Sequence, residues 1–191
     1  MSILASKKGS RDYDRKFSKE LFSAVADNLT VFSDDEWESI NSDETAVKEH
    51  KKVLIAVYIR TDKDNLVLTL DKGKFAQVSN VPPAVAHGGL YPSILVDSGL
   101  ICAKSLLDQA FTVSSEEALK RLVFNSTCYP VGAVETSKKF VLVFNVVLSV
   151  DLLRDPEISL NSGFHFHPIE TLSLTDSLQS EISESLILVK K

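Results

Sequence analysis

Two apolar runs constrain this chain more than any other feature. Val53-Leu54-Ile55-Ala56-Val57-Tyr58-Ile59 is unbroken, and Phe140 to Val150 is nearly so. Both are rich in β-branched residues, and neither approaches the roughly 18 residues of a membrane span. Apolar side chains at consecutive positions suit a strand that is buried on both faces. The chain therefore has to build a sheet with something packed on each side.

The remaining segments read as the elements around that sheet. Ser2 to Arg11 is basic and rich in small residues, and reads as a frayed terminus. Phe17, Leu21, Phe22, Val25 and Leu29 recur at helical spacing and predict a helix over about residues 18–28. Ser33-Asp34-Asp35-Glu36 has the form of a capping box and opens a second short helix, which carries Trp37. Trp37 is expected to pack onto the main body. Leu66-Val67-Leu68-Thr69-Leu70 predicts a second strand, joined to the first by the polar turn Thr61 to Asn65 as an antiparallel hairpin. Leu106 to Ala110 reads as a turn or two of helix. Ser114-Ser115-Glu116-Glu117 starts a clear helix, with acids in the first turn. Val131 to Val134 and Phe140 to Val150 are strands. Ile158 to Leu160 reads as a short edge, Phe164 to Glu170 as a last strand or turn, and Leu178 to Leu188 as a closing amphipathic helix. Helices, a hairpin, a helix, a second hairpin and a helix in that order predict an α+β domain, with a mixed sheet between helices.

With 191 residues, 44% of them hydrophobic and 25% charged, the chain has the composition of one folded domain. Its net charge of -5 gives it no general attraction for phosphate backbones or anionic membranes. Neither nucleic acid nor a membrane is an expected partner. Cys102 and Cys128 form no CxxC pair, and are expected as buried thiols outside any disulfide. The mixed, polar start has no secretory character, so the expected location is cytoplasmic.

Several segments resemble the Nudix superfamily, in its branch of phosphoesterase-like proteins. Val53 to Leu70 is similar to the family's opening hairpin, and Ala86-His87-Gly88-Gly89 to the glycine pair that opens its Nudix box. Glu116 to Arg121 resembles the start of the box helix. Val131 to Val134 and Phe140 to Leu148 resemble the strands that follow. Phe166-His167-Pro168-Ile169-Glu170-Thr171-Leu172 is similar to the aromatic-x-Pro-apolar-Glu-x-Leu segment near the family's end, and Glu181 to Leu188 to the branch's closing helix. The resemblance implies a Nudix-like fold over residues 51–191, behind an N-terminal helical extension over residues 1–50.

The family's chemistry implies a helix that carries Arg-Glu-apolar-x-Glu-Glu. Those glutamates share one face and hold Mg or Mn against a diphosphate while water attacks phosphorus. With Arg121 as the arginine, the three acid positions fall on Leu122, Asn125 and Ser126. The box is degenerate in that register, and Leu90 to Ser114 becomes a long insertion. The acids nearest in sequence are Asp97, Asp108, Glu116, Glu117 and Glu135. Glu116 and Glu117 have a simpler role as first-turn acids of a helix.

Other constellations are thinner. His165-x-His167 places two imidazoles on one face of a strand, but zinc sites ordinarily use three or four protein ligands. There is no G-x-S-x-G elbow, no Walker motif and no G-x-G-x-x-G. Three readings are open. The first is a nucleotide or dinucleotide binding module without ordinary hydrolysis. Its ligand would face His87, Gly88, Gly89 and Arg121, and no cofactor is expected. The second is a Mg or Mn dependent hydrolase of nucleoside diphosphate-linked compounds, with relocated carboxylates such as Asp97 or Asp108. The third is a structural partner subunit that forms a homodimer through the N-terminal helices and Trp37.

Overall fold

A computed structural model describes residues 2–7, 19–42, 50–70, 77–80, 94–135 and 139–171. Its centre is β3 (His50–Thr61), which runs parallel to β8 (Lys139–Leu148) in unbroken register from Lys52↔Lys139 to Thr61↔Leu148. These two strands contain the two apolar runs. Val53, Ile55, Val57 and Ile59 face one side with Phe140, Leu142, Phe144, Val146 and Leu148, in the main core. Leu54, Ala56, Tyr58, Val141 and Val143 face the other side and are buried as well. Burial on both faces explains why neither run alternates with polar residues.

The free edge of β8 pairs antiparallel with β7 (Ser126–Glu135), with a bulge between Pro130 and Gly132. Proline has no N–H for the ladder, so a break there is expected. Three short strands share the other edge of β3. These are β1 (Ser2–Lys7) near Lys52, β5 (Gln77–Asn80) along Leu54 to Val57, and β4 (Leu66–Leu70) at Arg60. β2 (Leu29–Ser33) extends the sheet beyond β1, and β10 (Phe164–Pro168) extends it beyond β4. Among the described residues all pairings except β3–β8 are antiparallel, so the sheet is mixed. A two-stranded ribbon, β6 (Phe111–Val113) with β9 (Ile158–Leu160), lies apart from it.

Two expectations need correction here. Ser2–Lys7 is not a frayed end. It is a strand stitched on both sides, and Ala5 is fully buried. Basic residues at a terminus do not prevent pairing when a partner strand lies alongside. The hairpin of β3 and β4 is also thinner than expected, with Arg60↔Val67 as its recorded pair. Asp64 and Asn65 both take left-handed backbone angles in the turn, which short polar side chains tolerate. The turn carries β4 away to its longer partner, β10.

Helices α1 (Lys19–Asp27) and α3 (Ile94–Ala110) contribute Leu21, Val25, Ile94, Leu95, Cys102, Ala103 and Leu106 to the core. At Gly99 the helix axis comes so close to β8 that an added Cβ would overlap the ring of Phe144. Helix α2 (Asp34–Ser42) starts with the expected capping box. The Ser33 N–H donates to Glu36 Oε2 at 2.7 Å, and the Glu36 N–H donates to Ser33 Oγ at 3.3 Å. Trp37 is buried, with its ring 5.7 Å from that of Phe32 and the Lys52 ammonium 5.3 Å above it. No helix among the described residues is long and apolar enough to cross a membrane.

Candidate functional site

The stretch expected as an insertion contains the helix that lies across the sheet. Helix α3 contacts β3, β7 and β8, whereas α4 (Glu116–Phe124) contacts β6 and β7. The buried residues of α3 include Ile94, Leu95, Ser98, Gly99, Cys102, Ala103, Leu106 and Ala110, at the spacing of one helical face. The opposite face presents Lys104, Ser105, Asp108 and Gln109 to solvent. Gln109 Nε2 donates to Ser105 Oγ at 3.1 Å, one turn back. The end of α3 is tied down by Asn161, whose Nδ2 donates to the Gln109 carbonyl and whose N–H donates to the Ala110 carbonyl, each at 2.8 Å. These donations satisfy carbonyls that a helix end leaves open.

Helix α4 has the expected start. Ser115 is its N-cap and accepts from the Ala118 N–H at 3.1 Å. Glu116 and Glu117 are exposed, and the Lys120 ammonium lies 3.1 Å and 3.6 Å from their carboxylates. Both lie in the first turn of the helix, the position expected for them. Leu122 is one of its buried residues, while Val123 is 56% exposed.

Arg121 is held at the edge of this helix by two acids. Its Nε donates to Asp155 Oδ2 at 2.7 Å, and its Nη2 donates to Asp155 Oδ1 at 3.2 Å and to Glu157 Oε2 at 2.6 Å. The guanidinium pKa is raised, first by Asp155 and then by Glu157. Both carboxylates are held below their ordinary range, with Arg121 as the leading cause in each case. The cation proposed for phosphate contact thus already faces two anions. His87, Gly88 and Gly89 lie outside the described residues, as does Leu178 to Leu188.

The other acids do not converge. Asp97 lies in the first turn of α3 and Asp108 in its last. A helix rises about 1.5 Å per residue, so the two are roughly 16 Å apart along the axis. Glu135 pairs with Lys51, and both side chains are mostly buried. Among the described residues, no group of three or more His, Cys, Asp or Glu is placed to hold a metal ion. Cys102 and Cys128 are in no disulfide. The Cys128 thiol is pushed up to about 11, mainly by burial.

Beside these elements lies a groove of about 360 Å³, lined by Phe111, Leu153, Ile158, Leu160, His165, Phe166 and His167. That volume is in the range of small-molecule pockets. Phe111 comes directly after α3, so the groove begins where that helix ends. It escaped sequence reasoning because its walls join Phe111 to residues 153–167, some forty positions further along. The exposed face of α3 was missed for a different reason. The resemblance makes Leu90 to Ser114 an insertion, and the apolar stripe of Ile94, Leu95, Cys102 and Leu106 is interrupted by Ser98 and Gly99.

The sequence matches no family model, and no curated protein matches it. Among solved structures, the chain is similar to the crystal structure of Tm1382, a proposed Nudix hydrolase. The TM-score is 0.58 at 15% identity, with all of both chains covered. At that identity the likeness is one of fold, and the fold of this chain is Nudix-like α+β.

Proposed function

We propose that this protein is a Nudix-fold binding module, which takes a nucleotide or dinucleotide and does not hydrolyse it by the ordinary Nudix route. One observation carries the reading: the helix positions that the resemblance assigns to glutamate are poor in carboxylates. In the register that starts at Arg121, the first acid position is Leu122, a buried residue, and the others are Asn125 and Ser126. Helix α3 offers a better register, because it is the helix laid on the sheet. There Arg-Glu-apolar-x-Glu-Glu falls on Lys104-Ser105-Leu106-Leu107-Asp108-Gln109. The apolar position is Leu106, which is buried, and the three acid positions are exposed. Of these three, Asp108 alone is anionic.

Such a donor set does not fit a tightly held magnesium ion. Ser105 and Gln109 are neutral and hydrogen-bonded to each other. One carboxylate replaces little of the ion's hydration shell. By the resemblance alone, the ligand's phosphates would be met by His87, Gly88 and Gly89. Arg121 would join only in competition with Asp155 and Glu157.

Asp108 also favours a second reading. Magnesium is often held by one or two carboxylates together with the substrate's own phosphates. A hydrolase of nucleoside diphosphate-linked compounds with Asp108 as its anchor is therefore the alternative. Asp97 would not share that ion, given its distance along the helix.

Incubation with nucleotide sugars, dinucleoside polyphosphates, ADP-ribose and nucleoside triphosphates, with Mg or Mn, separates the two readings. Thermal stabilisation by members of the panel without product would support the binding module. Metal-dependent cleavage that disappears in Asp108→Asn would establish the hydrolase instead.

A further inference from the structure

The exposed face of β10 holds chemistry that the proposed function does not use. His165 and His167 are two residues apart on one strand, so the pleat sends both side chains to the same face. Both are exposed, and their ring centroids lie 6.1 Å apart. Two imidazoles that share one cation through bonds of about 2.1 Å have ring centres roughly 4.5–5.3 Å apart. A small change of side-chain torsion closes the difference.

The strand beneath them is well fixed. β10 pairs with β4 over its whole length, with His165 opposite Thr69 and His167 opposite Val67. Thr69 is buried, and its Oγ1 donates to the His165 carbonyl at 3.2 Å. The Ile169 N–H donates to the Asn65 carbonyl at 2.9 Å and secures the far end. Ligands on a paired strand keep their spacing better than ligands on a loop.

We propose that His165 and His167 chelate a late first-row divalent cation, of the nickel, copper and zinc class, on the exposed face of β10. Imidazole nitrogen suits these ions, whereas magnesium and calcium favour oxygen. With two protein ligands, the remaining coordination positions are filled by water or by a donor atom of a bound molecule. The site involves none of Asp108, His87, Gly88 and Gly89, so it stands or falls independently of the nucleotide reading.

The test is calorimetric titration of Ni²⁺ into the full chain without a histidine tag. One equivalent should bind to the wild type. His165→Gln and His167→Gln should each weaken binding at least about tenfold, because each removes one arm of the chelate. Both positions are exposed, and circular dichroism melts would verify that the variants fold. His50→Gln, whose ring packs 5.5 Å from that of Phe32, should bind like the wild type. Magnesium should not compete. Absence of nickel binding in the wild type, or binding that persists in either variant of the pair, would overturn the proposal.

Discussion

Arg121 and Asp155 meet fork to fork, with Nε–Oδ2 at 2.7 Å and Nη2–Oδ1 at 3.2 Å, and Glu157 closes on the same Nη2 at 2.6 Å. This clasp joins α4 to the turn before β9. Both carboxylates have folded-state values below their ordinary ones. Their stabilisation is therefore fully present above the unfolded carboxylate values, near about pH 4, and drains away as pH falls through the folded values. Melting curves between about pH 5 and pH 2 should show a smaller loss of Tm in Asp155→Asn than in the wild type. Equal losses would mean that the clasp contributes nothing to acid stability.

Gly99→Ala should destabilise the protein by about 1–3 kcal/mol, the usual cost of overpacking a core. The new methyl would overlap the Phe144 ring, which is itself fully buried and has no exit. Urea unfolding measures the effect. Lys104→Ala, on the exposed face of the same helix, is the control and should change little.

Ser33→Ala should cost about 1 kcal/mol, because it removes the acceptor for the Glu36 N–H at the start of α2. The Glu36 carboxylate is held below its ordinary range, first by the Ser33 N–H and then by its hydroxyl. The substitution removes the second of these, so the Glu36 titration, followed by NMR, should move up. A titration that stays in place would argue against the capping box in solution.

Cys128 should react slowly with iodoacetamide at about pH 8, since the thiolate is the nucleophile and burial raises the thiol to about 11. The rate should climb steeply as pH approaches that value. Mass spectrometry of Cys128→Ser against the wild type assigns the labelled site. Rapid labelling of Cys128 at about pH 7 would contradict the burial that the fold gives it.

The parts of this structure that could be read from the sequence are those governed by local chemistry. The apolar runs of β3 and β8, the capping box at Ser33 and the N-cap at Ser115 each carry their cause in neighbouring residues. β1 and β2 were missed because their pairing is a property of the sheet. Nothing within Ser2 to Lys7 says that a partner lies at Leu29 to Ser33. Helix α3 was underread because Gly99 and Ser98 sit on its buried face, where a larger apolar residue would have marked the stripe. Arg121 could be found as a cation, but not as a paired one. Asp155 and Glu157 come from a turn more than thirty residues away.

The parallel register of β3 and β8 also sets a schedule for the chain's birth. Lys52 and Lys139 are partners 87 residues apart (139 minus 52), so the spine of the sheet cannot close until its far strand has been made. At about 5–20 residues per second, β3 waits roughly 4–17 seconds for β8 during synthesis. Throughout that interval the most apolar strand of the nascent chain has one edge without its native partner. Its short neighbours β5 and β4 emerge first and can occupy the other edge, so the order of the strands along the chain is also an order of protection.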